Sequence, residues 1–152
     1  MSSPAPAADA HALPPEVSPW AVLVVDDDPG VLAISRLALR SVRVADRDLA
    51  LVMARSAAEA LHWLEHNAEP DLLLLDLQLE TADSGAALLR DMRERLGFRA
   101  ARVLVRSGGE VSAATDLSDL DVARVIGKAE VGLAELRTIV AAALTERADR
   151  YA

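Results

Sequence analysis

The stretch Trp20-Ala21-Val22-Leu23-Val24-Val25-Asp26-Asp27-Asp28-Pro29-Gly30 changes character abruptly. Its first six residues are apolar with no polar alternation, which suits a short strand buried on both faces. Three carboxylates follow at once, then a proline and a glycine. Asp28 is placed to cap a helix, and Pro29 suits the first helical position. A buried strand that ends in acids and runs directly into a helix opens an α/β pattern.

The pattern continues downstream. Val31, Ile34, Ala38 and Val42 recur at helical spacing. Residues 49–54 read as a second strand, and 56–66 as a second helix with Ala57, Leu61 and Leu64 on one face. Pro70 interrupts, and Leu72-Leu73-Leu74-Leu75 is a third strand. Residues 85–96 make a third helix with Leu89, Met92 and Leu96 aligned. Residues 102–105 are a fourth strand. Residues 110–118 are a weak fourth helix, because Ser, Thr and Asp form helix interiors poorly. Residues 122–126 are a fifth strand, and 130–148 a last helix with Leu133, Leu136, Val140 and Leu144 on one face. Strands alternating with helices predict a doubly wound five-stranded parallel sheet of order 2-1-3-4-5, a flavodoxin-like (βα)5 architecture.

Composition sets outer bounds. The 152 residues are enough for one domain, and the 52% hydrophobic content with four aromatics predicts an aliphatic core. Five of the seven prolines lie in the first nineteen positions, so residues 1–18 are expected to be a disordered Pro/Ala-rich tail and 19–152 the folded domain. A net charge of −8 argues against a nucleic-acid surface. Absence of cysteine excludes disulfides and thiolate chemistry. With no signal-like N-terminus and no spanning apolar run, a cytoplasmic protein without membrane insertion is the expectation.

The polar residues that close the strands carry the chemistry. The first strand ends in Asp26-Asp27-Asp28, the third in Asp76, the fourth in Ser107-Gly108-Gly109, and the fifth, after Gly127, in Lys128. In such a sheet ligands bind at the carboxyl ends of strands, at the switch point between strands 1 and 3. Singly, each residue has a plain account: Asp28 as a helix cap, Asp76 as a strand end, Ser107 as a turn residue, Lys128 as a solvated charge. Together they place several carboxylates, a hydroxyl and a lysine on one edge. Converging carboxylates need a counter-charge, and a hard cation such as Mg²⁺ with oxygen ligands supplies it. A metal and a lysine then neutralise a transferring phosphoryl group.

The set Val24-Val25-Asp26-Asp27-Asp28-Pro29, Asp71-Leu72-Leu73-Leu74-Leu75-Asp76, Ser107-Gly108 and Lys128 resembles the receiver domain of two-component response regulators. The resemblance covers residues 20 to about 148. It implies that Asp26, Asp27, Asp76 and the backbone carbonyl of Gln78 hold Mg²⁺. It implies that Asp76 accepts a phosphoryl group from a histidine kinase or histidine phosphotransfer protein, and that Ser107 and Lys128 bind the phosphoryl oxygens. Docking of the kinase helix pair would fall to the first helix. With no output segment after the last helix, a stand-alone regulator is expected. It would signal to an unknown downstream protein through the face of helix 4, strand 5 and helix 5, which is also the candidate homodimer face.

Three features depart from that family. Lys128-Ala129 replaces the usual Lys-Pro with its cis bond, and a cis bond without proline costs roughly 3 kcal/mol. Val125 stands where the aromatic switch residue usually lies, which removes a rotating-ring readout. The loop Leu79-Glu80-Thr81-Ala82-Asp83-Ser84-Gly85 is slightly longer than usual. Two other readings stay open: a receiver-like binding module that is never phosphorylated, and a phosphatase resembling the haloacid dehalogenases, whose D-x-D spacing occurs in Asp26-Asp27-Asp28.

Overall fold

The computed structural model describes residues 18–81, 83–108, 117–127 and 132–150. The tail except Ser18, most of the expected fourth helix, Gly109 and the Lys128-Ala129 bond lie outside them. The first strand, β1 (Trp20–Val25), leads into α1 (Pro29–Leu39). The short β2 (Arg43–Val44) and β3 (Arg47–Ala54) precede α2 (Ala57–His66) and β4 (Leu72–Asp76). Then come α3 (Ser84–Arg90), which runs on as a π-helical turn over Asp91–Arg95, β5 (Arg102–Ser107), β6 (Arg124–Gly127) and α4 (Leu133–Arg150).

The sheet has the order β2-β3-β1-β4-β5-β6. The five longer strands are parallel and reproduce the expected 2-1-3-4-5 winding. The sixth strand is an addition. Arg43–Val44 pairs antiparallel with β3 across the two-residue turn Ala45-Asp46, both at positive φ (52° and 61°). That is the mirror-image turn whose twist matches a hairpin. Ala-Asp carries no strong signal for it, so it was not legible in the sequence. Trp20 secures the hairpin: its indole N–H donates to Val44 O at 2.9 Å, and the Arg47 guanidinium lies 3.5 Å from its ring centroid.

Sheet alternation divides the core into two layers. Val22, Val24, Leu72, Leu74 and Leu104 pack with α1 and α4. Leu23, Val25, Leu73, Leu75, Val103 and Val105 pack with α2 and α3. The four leucines of β4 are fully buried, each contributing at most about 1.5–3 kcal/mol.

The helices begin as their sequences direct. Asp28 accepts from Gly30 N at 2.8 Å, with Pro29 in the first position. At α2, Ser56 Oγ accepts from Glu59 N while Glu59 Oε1 accepts from Arg55 N, a variant of the reciprocal capping box. The expected apolar stripe of α1 needs correction. Leu32, Ser35, Ala38 and Leu39 are buried, whereas Ile34 is 51% exposed. On α4 the inward row includes Ile139 and Ala143 beside Leu136, Val140 and Leu144, and Leu133 is exposed.

The π-helical turn buries two consecutive residues, Met92 and Arg93. The Arg93 guanidinium donates to four backbone carbonyls: Leu120, Phe98, Ala101 and Asp121, at 2.9–3.1 Å. Burial lowers its pKa, and the charges of Asp121 and then Glu69 oppose that shift. One side chain thereby ties the loops before β5 and β6 to α3. Arg93→Met would strand those carbonyls, and we expect a loss of roughly 3 kcal/mol or more in urea denaturation. By contrast, loss of the exposed Arg43–Asp48 pair should cost under about 1 kcal/mol.

Candidate functional site

The carboxyl edge of the central strands assembles an acidic site. The β1–β4 register pairs Val24 with Leu74 and Val25 with Leu75, so Asp26 and Asp76 come next on adjacent strands. The amide of Asp26 continues the ladder by donating to Ala54 O at 3.1 Å. Carboxylate oxygens of Asp26, Asp27 and Asp76 all lie within 4.8 Å of one another. Asp26 and Asp76 are buried, while Asp27 is exposed at the rim.

Local turns orient both buried acids. Asp26 Oδ1 accepts from Asp28 N at 2.9 Å, and Asp76 Oδ1 accepts from Gln78 N at 3.0 Å. Each acid thus closes a turn on the amide two residues ahead, a habit of Asp side chains. Asp28 is engaged at the α1 cap, in accord with the plain account of that residue.

The loop after Asp76 is held from two sides. Gly85 N donates to Leu77 O at 3.1 Å. A Cβ built on Gly85 would collide with the Leu77 carbonyl oxygen and come within 2.6–2.7 Å of Leu77 Cα and Asp76 O. Glycine is needed here for close backbone approach. Between Leu77 and Gly85, Glu80 Oε2 accepts from Ala57 N at 2.9 Å, tying the loop to the start of α2.

Ser107 is buried at the end of β5, in register with Gly127 of β6. Asp76 itself pairs with Arg106. The Arg106 Nη1 donates to the buried Ser35 Oγ of α1 at 3.0 Å. Burial lowers the pKa of this guanidinium, and the charges of Asp26 and then Asp76 partly offset the shift. A second arginine at the far end of the apolar run that Arg102 opens is a usable sequence signal for Arg106. Glu80 stands in the sequence only as part of a loop, and Gly85 as the loop's end and the start of the third helix, because their contacts join segments that periodicity does not connect. Val125 of β6 is exposed. Lys128 lies outside the described residues.

The donor set suits a hard divalent cation. Three carboxylates offer oxygen ligands within a few ångströms, and the rim position of Asp27 leaves an approach from solvent. No soft ligand competes, since the chain has no cysteine.

A doubly wound parallel sheet with acids clustered at its central carboxyl edge defines a class of phosphate- and metal-handling α/β domains. Comparison with known proteins narrows it: residues 22–141 match the model of the response regulator receiver domain, and the chain belongs to that family. The chain is 33% identical over 124 residues to a 3'3'-cGAMP-specific phosphodiesterase 2 of Vibrio cholerae serotype O1. That match takes in 80% of this chain but 24% of the phosphodiesterase, so the chain spans about a quarter of that relative's length. A CheY-like receiver domain protein from Methanospirillum hungatei superposes with a TM-score of 0.71 at 20% identity, over 87% of this chain and 98% of that one. The response regulator TrrA of Thermotoga maritima, solved in complex with Mg²⁺-BeF, gives 0.63 at 21% identity, over 82% and 98%.

Alanine ordinarily improves on glycine in a helix by up to about 1 kcal/mol. At Gly85 the overlap reverses the sign. We expect Gly85→Ala to destabilise by about 1–3 kcal/mol and to shift the amide resonances of Leu77 and Gln78, followed by thermal denaturation and NMR.

Proposed function

We propose that this chain is a response regulator that accepts a phosphoryl group on Asp76, from a histidine kinase or a histidine phosphotransfer protein, with Mg²⁺ bound beside it. The observation that carries the reading is the convergence of Asp26, Asp27 and Asp76 at the switch point of the sheet. Asp76 takes the acceptor role that the receiver resemblance implies; its place at the end of the central buried strand and the Gln78 amide that orients its carboxylate support that assignment. Asp26, Asp27, Asp76 and the Gln78 carbonyl would hold the metal. When bound, Mg²⁺ supplies neutralising charge to the phosphoryl oxygens.

In the transfer, an Asp76 carboxylate oxygen forms a bond to phosphorus as the phosphorus–nitrogen bond of the donor histidine breaks. The product is an acyl phosphate, and the electron pair of the broken bond stays with the imidazole. Ser107 is assigned a hydrogen bond to one phosphoryl oxygen, and Lys128 charge neutralisation of another. Asp26 and Asp27 keep the site acidic enough to hold the cation without themselves reacting. The domain acts as a phosphoacceptor and not as a turnover enzyme; the activity in the Vibrio relative's name is said of that protein.

Two exposed apolar areas support signalling by protein contact. Ile34 and Leu37 lie on the outer face of α1, which fits docking of the phosphodonor's helices. Val125 of β6 and Leu133 of α4 lie on the face proposed to meet the downstream protein or a second copy. A cytoplasmic location is part of this proposed reading. No described helix is long and apolar enough to cross a membrane.

Intact mass spectrometry after incubation with acetyl phosphate and Mg²⁺ tests the reading. Wild type should gain one phosphoryl group, whereas Asp76→Ala and wild type in EDTA should gain none. No gain in wild type with the metal bound would turn the reading toward a module that works unphosphorylated. Steady release of phosphate from an aryl phosphate would turn it toward a phosphatase.

A further inference from the structure

β5 carries a charged residue, Arg106, directly after the apolar run Val103-Leu104-Val105. Val103 and Val105 face α2 and α3, Leu104 faces α1 and α4, and Arg106 follows Leu104 onto the α1 side. The same alternation takes Asp26 after Val24 and Asp76 after Leu74. In register, Asp76 pairs with Arg106, and Asp26 comes next to Asp76. Two acids and one arginine therefore form a row across three adjacent strands, on one face of the sheet.

Ser35 holds the arginine in that row. It is a fully buried serine on the inner side of α1, a position that periodicity would give to an apolar residue. Its hydroxyl accepts from the guanidinium at 3.0 Å. The acceptor is neutral, so the hydrogen bond orients the cation without cancelling its charge. Arginine remains protonated at any working pH, and its charge acts on Asp26 and Asp76.

We propose that Arg106, positioned by Ser35, is a resident counter-charge of the acid cluster: it stabilises the metal-free site and, by the same field, weakens the binding of the divalent cation. This rests on the metal site assigned above to Asp26, Asp27 and Asp76. The sign follows from charge alone. Without metal, a fixed positive charge relieves repulsion among the carboxylates. With metal, the same charge repels a doubly charged ion. A residue with a merely structural role would lower stability without tightening metal binding.

Calorimetric Mg²⁺ titration of the full chain at constant ionic strength, with melting temperatures in EDTA, tests this on wild type, Arg106→Gln and Arg106→Lys. Arg106→Gln should bind Mg²⁺ roughly fivefold more tightly, the low end for a unit charge one or two strand spacings from a divalent ion. It should also melt lower than wild type in EDTA. Arg106→Lys should return the affinity to within about twofold of wild type, since the same field term is restored. Arg106→Met, with an aliphatic stem suited to the same layer, serves if the glutamine variant does not fold. Equal or weaker Mg²⁺ binding in a folded neutral variant would overturn the proposal. Failure of wild type itself to bind Mg²⁺ would instead overturn the metal site, and the proposal with it.

Discussion

The parallel pairing of β1 with β4 is the constraint on which the rest depends. Both strands are buried on two faces, so neither can slip by one residue without exchanging its two apolar rows. With Val25 locked beside Leu75, the next residue on each strand is an aspartate. The acids meet because the hydrophobic register leaves them nowhere else to go. The turn amides of Asp28 and Gln78 then orient two of the carboxylates, and the close approach of Gly85 fixes the backbone after Asp76. Core packing thus sets the geometry of the polar site.

The buried Arg93 and the half-buried Arg106 show how differently one side chain is used. Arg93 meets four carbonyl oxygens and closes two loops onto α3. Its partners are dipoles of a fixed frame, so it acts in stability. Arg106 meets one neutral hydroxyl and stands in register with an acid. Its charge is directed at the site. Burial lowers both pKa values, yet only the second opposes carboxylates at the carboxyl edge.

Membership of the receiver family describes the frame and leaves the output to local detail. The V. cholerae relative carries its matching region within a chain about four times as long as the part aligned. The exposed Val125 offers an aliphatic contact where an aromatic readout was missing from the sequence. A contact surface built from Val125 and Leu133 would respond to position and packing, not to ring rotation.

The sequence by itself determined the alternation of elements, the winding of the five main strands, the α1 cap and the edge on which the acids gather. These follow from local periodicity, from capping chemistry, and from the rule that parallel strands need crossover helices. Only the tertiary structure decided which side of α1 faces inward. Periodicity favoured Val31 and Ile34, but the buried row contains Ser35, because its hydroxyl meets an arginine from β5. It also decided the Ala45-Asp46 hairpin, the inward turn of Arg93 and the clash that makes Gly85 necessary. Each of these rests on partners distant in the chain, or on a backbone conformation that the residue types alone do not select. A one-dimensional pattern records which groups are apolar or charged; which of them share a row is settled when the strands pair.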